Sequence, residues 1–195
     1  MKEKEAHIIV EVHPYEIVQL ICEIAETERL DFDVEVAQEL TPNALLGVTV
    51  LDFSETWTFI PPETGQISLY NYVAQKMESV PLRKKTVSAW LKAFQLEDEA
   101  CIAVADLPRQ AHLKLQLLIS VLEQHQVVLI LSSELLDNCD AILWRVKQFL
   151  LRLDNPVLQP AFVVCDTDVT PGMAFSVERL IVVENETVDT LFVAI

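Results

Sequence analysis

The fold is decided by residues 99–133, which read EACIAVADLPRQAHLKLQLLISVLEQHQVVLILSS. Two continuous apolar runs, residues 100–105 and 127–131, lie near its ends and are closed by Asp106 and by a pair of serines. Uninterrupted apolar runs of this length are typical of strands buried on both faces, as in a parallel sheet. Between them, apolar residues recur at a spacing of four, which predicts a helix of about five turns that begins near Pro108. The whole stretch therefore predicts a βαβ unit with a right-handed crossover.

Apolar patterns elsewhere in the chain predict further strands and helices around this unit. Predicted strands cover residues 7–12, 31–36, 45–52, 56–60, 160–165, 179–184 and 190–195. Predicted helices cover residues 17–29, 67–80, 86–94 and 141–153. Strands that alternate with helices favour a parallel sheet. We therefore expect an α/β fold, with a mainly parallel central sheet flanked by helices and a C-terminal antiparallel hairpin at the sheet edge.

The length of 195 residues and the hydrophobic content of 51% suit one globular domain. Within a single α/β domain over residues 1–195 we distinguish three parts by composition. They are an acidic α+β portion (residues 1–66), a two-helix segment (67–95) and the βαβ core with its terminal hairpin (96–195). The net charge is −16, and residues 1–60 hold 13 acidic but only 3 basic residues.

Composition also bears on partners and compartment. Direct binding to a nucleic-acid backbone is disfavoured, because phosphate neutralisation requires clustered Lys and Arg. No apolar stretch reaches the roughly 18 residues that a membrane-spanning helix needs, and the first residues carry mixed charge instead of a signal peptide. The four cysteines form no CxxC pair, and we interpret them as buried thiols of a reducing compartment. We expect a soluble cytoplasmic protein.

Scarcity of glycine excludes the common nucleotide-binding loops. The chain has only Gly47, Gly65 and Gly172, so neither a GxxxxGK[ST] loop nor a GxGxxG turn can be written in it. Even so, a strand closed by Asp106, then a long helix, then a strand closed by serines resembles the order in P-loop folds of the metal-holding strand and the next strand. This resemblance of topology implies a P-loop-type core without its nucleotide loop.

A second resemblance lies in residues 166–170, DTDVT, directly after a predicted buried strand. They match the DxDxT motif of haloacid-dehalogenase-like phosphatases. That resemblance implies Asp166 as nucleophile, Asp168 as acid/base and Mg²⁺ bound between them. In that family further motifs, including a lysine, follow the first, whereas no lysine follows Thr170 in this chain.

A broader hypothesis places four carboxylates at the carboxyl ends of predicted strands. Asp106, Glu134, Asp166 and Asp168 would then form a Mg²⁺ site for phosphoryl or nuclease chemistry, because such ligands bind at this edge of a parallel sheet. The alternative is that they are turn residues, which aspartate favours after strands. No histidine or cysteine cluster has the spacing of a zinc site.

High negative charge without an assembled catalytic constellation favours a non-catalytic interaction or regulatory protein that needs no cofactor. We expect it to bind a protein partner, which a basic surface would suit, through Glu23, Glu26 and Asp33 or through an apolar hairpin with Trp57 and Phe59. A pseudo-NTPase-like adaptor, or an immunity or antitoxin-type protein, would fit this description.

Two alternative functions follow from other features. A Mg²⁺-dependent phosphohydrolase or nuclease would use the four carboxylates named above. An oligomeric structural subunit would pair its terminal strand, which begins at Thr190 and ends at Ile195, with the same strand of a second copy.

Overall fold

The computed structural model describes residues 7–22, 31–36, 47–54, 66–80, 86–153, 155, 157–166, 178–184 and 187–189. The strands are β1 (His7–Val12), β2 (Ile17–Cys22), β3 (Asp31–Val36), β4 (Val48–Asp52), β5 (Val127–Leu131), β6 (Ala161–Asp166), β7 (Arg179–Glu184) and β8 (Thr187–Asp189). The α-helices are α1 (Leu69–Met77), α2 (Val87–Ala93), α3 (Arg109–Leu122) and α4 (Cys139–Leu153). Two short 3₁₀ helices cover Val104–Asp106 and Ser133–Leu135.

Most of the described strands belong to one sheet with the order β4-β5-β6-β2-β7-β8. Neighbours from β4 to β7 run parallel, and β8 pairs antiparallel with β7 at the edge. Strands β1 and β3 form a separate parallel pair. The predicted α/β fold with an antiparallel edge hairpin is thus confirmed. The predicted strands at residues 56–60 and 190–195 lie outside the described residues.

The sheet is covered on both faces, which explains the continuous apolar runs. In β5, Val128 and Ile130 belong to the larger apolar cluster, whereas Val127 and Leu129 belong to a second one. Because successive side chains of a strand point to opposite faces, the two clusters lie on opposite sides of the sheet. Helices α3 and α4 supply much of the larger cluster.

The prediction of a helix that begins at Ile17 is wrong, because Ile17–Cys22 form the strand β2. Its residues from Ile17 to Ile21 are all buried, including Gln19 at 1% exposure. A helix with one polar face would leave part of this run in water, whereas a strand between two parallel neighbours buries both faces. β2 lies between β6 and β7 near the middle of the sheet, and so the run becomes a strand.

Residues 100–105 also differ from prediction, because they form turns and the start of a 3₁₀ helix instead of a buried strand. The segment is rich in alanine, which strands disfavour. Cys101 is exposed, and Ala103 forms only an isolated antiparallel bridge with Ser68. The amide of Val104 donates to the Ile67 carbonyl at 3.0 Å. The segment therefore packs beside the start of α1, and Asp106 does not end a strand.

The helices agree with the predicted segments to within a few residues. Ser68 caps α1 by accepting from the Asn71 amide at 3.4 Å. α2 places Trp90 in the core, where its ring stacks on Phe94 with centroids 6.2 Å apart and meets the edge of Phe149 at 5.0 Å. These contacts join α2 to α4. Among the described helices, none has the length and apolar content to cross a membrane.

Candidate functional site

The candidate site is the edge of the sheet where the parallel strands end. The register pairs Asp52 with Leu131, Leu131 with Cys165, and Cys165 with Leu20. These four residues therefore form one row across β4, β5, β6 and β2, and Asp166 lies one residue beyond it. Ligands of open α/β sheets bind outside the carboxyl ends of the strands, so a ligand of this protein is expected at this edge.

The end of β2 is the point on this edge where the order of strands reverses. From β2 the chain goes to the far strand β4, returns through β5 and β6, and then passes β2 to reach β7. A ligand is expected at such a reversal. The residues that follow β2, positions 23–30, lie outside the described part, but their sequence is EIAETERL. It contains three glutamates and one arginine, and neither glycine nor lysine.

A hydrogen-bonded carboxylate lies at the carboxyl end of β4, on the same side of the sheet but separated from β2 by β5 and β6. Oδ1 of Asp52 accepts from the Ser54 amide at 2.8 Å, from the Ser54 hydroxyl at 2.7 Å and from the Ser132 hydroxyl at 3.1 Å. Hydrogen bonds from Ser54, with a smaller contribution from Ser132, hold the pKa of Asp52 below its ordinary value of 3.8, although partial burial opposes them. This carboxylate is therefore anionic at neutral pH.

The backbone after β5 is shaped to make this contact. Ser132 has φ 55° and ψ 44°, in the left-handed region that costs a non-glycine residue free energy. The amide of Phe53 donates to the Leu131 carbonyl at 3.2 Å, and the Phe53 ring is buried. The hydrogen bonds from Ser132 to Asp52 and from Phe53 to Leu131 hold the carboxyl ends of β4 and β5 together.

Gln110, on the first turn of α3, holds the loop that follows. Its Nε2 donates to the Leu135 carbonyl at 2.9 Å, and its Oε1 accepts from the Asp137 amide at 3.0 Å. One side chain thus satisfies two backbone groups of the loop between β5 and α4. This arrangement fixes the exposed Glu134 relative to α3.

Three of the four predicted metal ligands lie within the described residues. Asp106 is exposed at the end of a 3₁₀ helix, and so its predicted place at a strand end is wrong. Glu134 is exposed on the other 3₁₀ helix. Asp166 ends β6, and Asp168 lies outside the described residues. Within the described ranges, no group of three or more His, Cys, Asp or Glu residues is placed to hold a metal ion.

Most of the predicted partner-binding residues lie outside the described part of the chain. Glu23, Glu26, Trp57 and Phe59 belong there. Asp33 is on β3, opposite Ile9 of β1 in the parallel pair. The contribution of these residues to binding stays a prediction.

Asp52 is the site residue that sequence reasoning missed. The predicted strand at residues 45–52 ends with this aspartate, as other predicted strands end with theirs, and so the signal was present. It was overlooked because the following residues were interpreted as the turn of a hairpin.

An ion pair between Lys147 and Glu178 lies at the amino end of β2. The Lys147 ammonium, on α4, is largely buried and donates to Oε1 of Glu178. The other carboxylate oxygen of Glu178 accepts from the Ile17 amide at 3.1 Å, where β2 begins. This pair fixes α4 to the amino end of the central strand β2, whereas the candidate site lies at the carboxyl ends of the strands.

Comparisons with known proteins agree with the topology. No family model matches the sequence, and a search of curated proteins found no match. Among solved structures, one similar chain is an RNase-L inhibitor, with a TM-score of 0.50, 17% identity and coverage of 89% of this chain. Another is in the complex of archaeal ribosomal stalk protein aP1 with the archaeal ribosome recycling factor aABCE1, with a TM-score of 0.50, 16% identity and 89% coverage.

These neighbours have ABC ATPase-like P-loop folds. This chain spans 33% of the length of the first and 32% of the second. At such identities the likeness concerns the fold. The predicted P-loop-like α/β topology agrees with these neighbours, whereas the match of residues 100–106 to the metal-holding strand is wrong because they form no strand.

Proposed function

We propose that this chain is a non-catalytic interaction or regulatory protein, a pseudo-NTPase-like adaptor that carries a P-loop-type sheet without a phosphate-binding loop. The observation that carries the proposal is the segment EIAETERL at the carboxyl end of β2, where the strand order reverses. In the sequence it directly follows the end of β2, and open α/β sheets bind their ligands beyond such a strand end.

The chemistry of that segment opposes binding of a nucleotide phosphate. A phosphate loop needs glycines, so that backbone amides can approach the oxygens, and a lysine that neutralises their charge. Residues 23–30 supply neither, and their three glutamates would repel a polyphosphate. In addition, Asp106, the residue that the sequence matched to the metal-holding aspartate of P-loop NTPases, does not follow a strand in the structure.

The same charge supports binding of a basic protein surface. Residues 1–60 hold ten more acidic than basic residues, and Glu23, Glu26 and Asp33 lie within them. Trp57 and Phe59 would supply apolar anchors next to the charges, a combination common at the centre of interfaces. We propose these five residues as the partner-binding surface.

Thermal unfolding with nucleotides and metal ions tests the absence of a ligand site. A ligand present at about 100 times its Kd adds about 2.7 kcal/mol, which for a chain of this size raises Tm by roughly 5–10 °C. We expect no such rise with ATP, GTP, Mg²⁺ or Mn²⁺. A rise with Mg²⁺ that Asp166→Asn abolishes would favour the Mg²⁺-dependent phosphohydrolase or nuclease.

Binding to the native partner tests the positive half of the proposal. After capture from the native lysate and identification, the partner's affinity is measured against Glu23→Lys/Glu26→Lys/Asp33→Lys and against Trp57→Ala. The matched control is Glu97→Lys/Asp98→Lys, which changes exposed charges elsewhere. Affinity that survives both test variants would show that the proposed surface is wrong.

A further inference from the structure

The outer face of α4 is apolar and basic in an otherwise acidic chain. Trp144 is 46% exposed and Leu151 is 44% exposed. They are seven residues apart, which is two turns or about 10 Å along the helix, and so they share one side of it. Each is followed directly by an exposed arginine, Arg145 and Arg152. The face therefore presents two apolar side chains, with the partly exposed Gln148 between them, beside two positive charges.

The charge of this helix departs from that of the rest of the chain. Helix α4 (Cys139–Leu153) contains three basic residues and one acidic residue, Asp140 in its first turn, whereas the whole chain has 30 acidic and 14 basic residues. Lys147 is paired with Glu178 and faces inward. Within the described part of the chain, Arg145 and Arg152 form no ion pair, and their exposed guanidinium groups remain available for an outside partner.

We propose that this face binds an acidic amphipathic helix of a partner protein. An opposing helix repeats its apolar residues at the same interval of two turns that separates Trp144 from Leu151. Glutamates or aspartates beside those residues would meet the two arginines. Trp and Arg are the residues that most often dominate binding free energy at interfaces. This surface differs in position and in sign of charge from the acidic surface proposed above, so each can fail without the other.

A second copy of the same face is a poorer occupant. Two α4 helices packed in an antiparallel, two-fold arrangement would bring the arginine rows to the same side of the interface, where like charges repel. Charge complementarity therefore favours a foreign acidic helix.

The test is a selection from a phage-displayed library of amphipathic helical peptides. Leucine, isoleucine or phenylalanine is fixed at the heptad a and d positions, and flanking positions vary among Glu, Lys, Gln and Ala. We expect wild-type protein to enrich Glu over Lys, and the variant Arg145→Glu/Arg152→Glu to enrich Lys over Glu. Synthetic copies of the enriched peptides should bind at least ten-fold more weakly to Trp144→Ala, and more weakly as NaCl rises.

Matched controls separate this face from the rest of the surface. Tyr70→Ala removes a 41%-exposed aromatic residue on α1, and Lys92→Glu reverses an exposed charge on α2. Neither should change peptide affinity, and circular dichroism of each variant confirms folding. The proposal is overturned by no enrichment, by enrichment without a preference for Glu, or by affinity that Trp144→Ala leaves unchanged. Sedimentation that shows a dimer dissociated by Trp144→Ala would also overturn it, since the occupant would then be a second copy.

Discussion

Glu178 connects Lys147 of α4 to the amide of Ile17, at the start of the central strand. One carboxylate oxygen of Glu178 accepts from the Lys147 ammonium and the other accepts from the Ile17 amide. The Glu178 amide in turn donates to the Ile17 carbonyl at 2.9 Å. The side chain of Lys147 is only 10% exposed and that of Glu178 is 44% exposed. The buried member of the pair is thus the cation, and the carboxylate keeps contact with water.

This asymmetry predicts unequal costs for removing the two partners. Glu178→Ala leaves a buried ammonium without its carboxylate, and we expect it to lower the free energy of unfolding by about 1–3 kcal/mol. Lys147→Met keeps the aliphatic stem and leaves a hydrated carboxylate, and we expect a loss within about 1 kcal/mol. Urea unfolding at neutral pH measures both. Adding Lys147→Met to Glu178→Ala should recover part of the loss, and a further loss would contradict this account.

Asp52 predicts a dependence of stability on acid pH. Its pKa is lower in the folded chain than its ordinary value of 3.8, mainly because of hydrogen bonds from Ser54. The stabilisation is therefore present above about pH 4 and is lost as pH falls through the lower folded pKa. Because the group is partly hydrated, Asp52→Asn should cost only about 0.5–1 kcal/mol at pH 7. The difference from wild type should shrink towards pH 2.

Denaturant unfolding between pH 2 and pH 7 measures this difference, with the exposed carboxylate variant Asp98→Asn as control. A gap between wild type and Asp52→Asn that stays constant over the whole range would show that the hydrogen bonds do not perturb the carboxyl group.

Tyr72 predicts a corresponding loss at alkaline pH. Burial, and to a smaller extent the negative charge of Glu123, raise the pKa of its phenol above the ordinary value of 10.0. The unfolded chain ionises first, so the stabilisation is complete below about pH 10 and is lost as pH rises through the folded pKa. Tyr72→Phe should flatten the fall in Tm between pH 9 and pH 11. Tyr70→Phe, an exposed tyrosine on the same helix, should leave the slope as it is in wild type.

The two hydrogen bonds of Gln110 should protect the loop after β5 from local unfolding. Gln110→Ala removes one partly buried and one exposed hydrogen bond, and we expect it to lower stability by about 1–2 kcal/mol and to speed hydrogen exchange at the Asp137 amide. Gln110→Glu keeps an acceptor for that amide but sets a second carboxylate oxygen against the Leu135 carbonyl. It should protect Asp137 better than alanine does. The exposed Gln75→Ala on α1 should leave exchange at Asp137 unchanged.

The elements that could be predicted from the sequence are those whose local pattern has a single interpretation. The bounds of α3, α4, β5 and β6 lie within a few residues of those predicted. The two helices were predicted from the spacing of their apolar residues, and the two strands from continuous apolar runs closed by polar residues. The run from Ile17 to Cys22 is too short for periodicity to separate a helix from a strand. Its conformation is decided by pairing with β6 and β7, whose residues lie far away in the sequence.

The candidate site, too, could be predicted from the sequence only in part. That polar residues would follow the parallel strands could be predicted, because turn residues and ligands both gather there. Which residues meet could not, since the Ser132 hydroxyl and Asp52 are 80 positions apart and meet through a left-handed backbone at a serine. Residues 100–105 mislead for a related reason. Their apolar side chains are mostly small, and their backbone groups form hydrogen bonds with residues at the start of α1 instead of with a strand.

The central position of β2 has a consequence for how the chain reaches its folded state. On the ribosome, this strand is made before its neighbours β6 and β7 in the sheet, and Glu178, which contacts Ile17, follows it by 161 positions. Until β6 and β7 emerge, both edges of a highly apolar strand are without their native neighbours, a state prone to aggregation. Such distant parallel pairing slows folding. Glu16 and Glu23 flank β2 in the sequence, and charged residues beside an apolar strand generally disfavour its association with other chains.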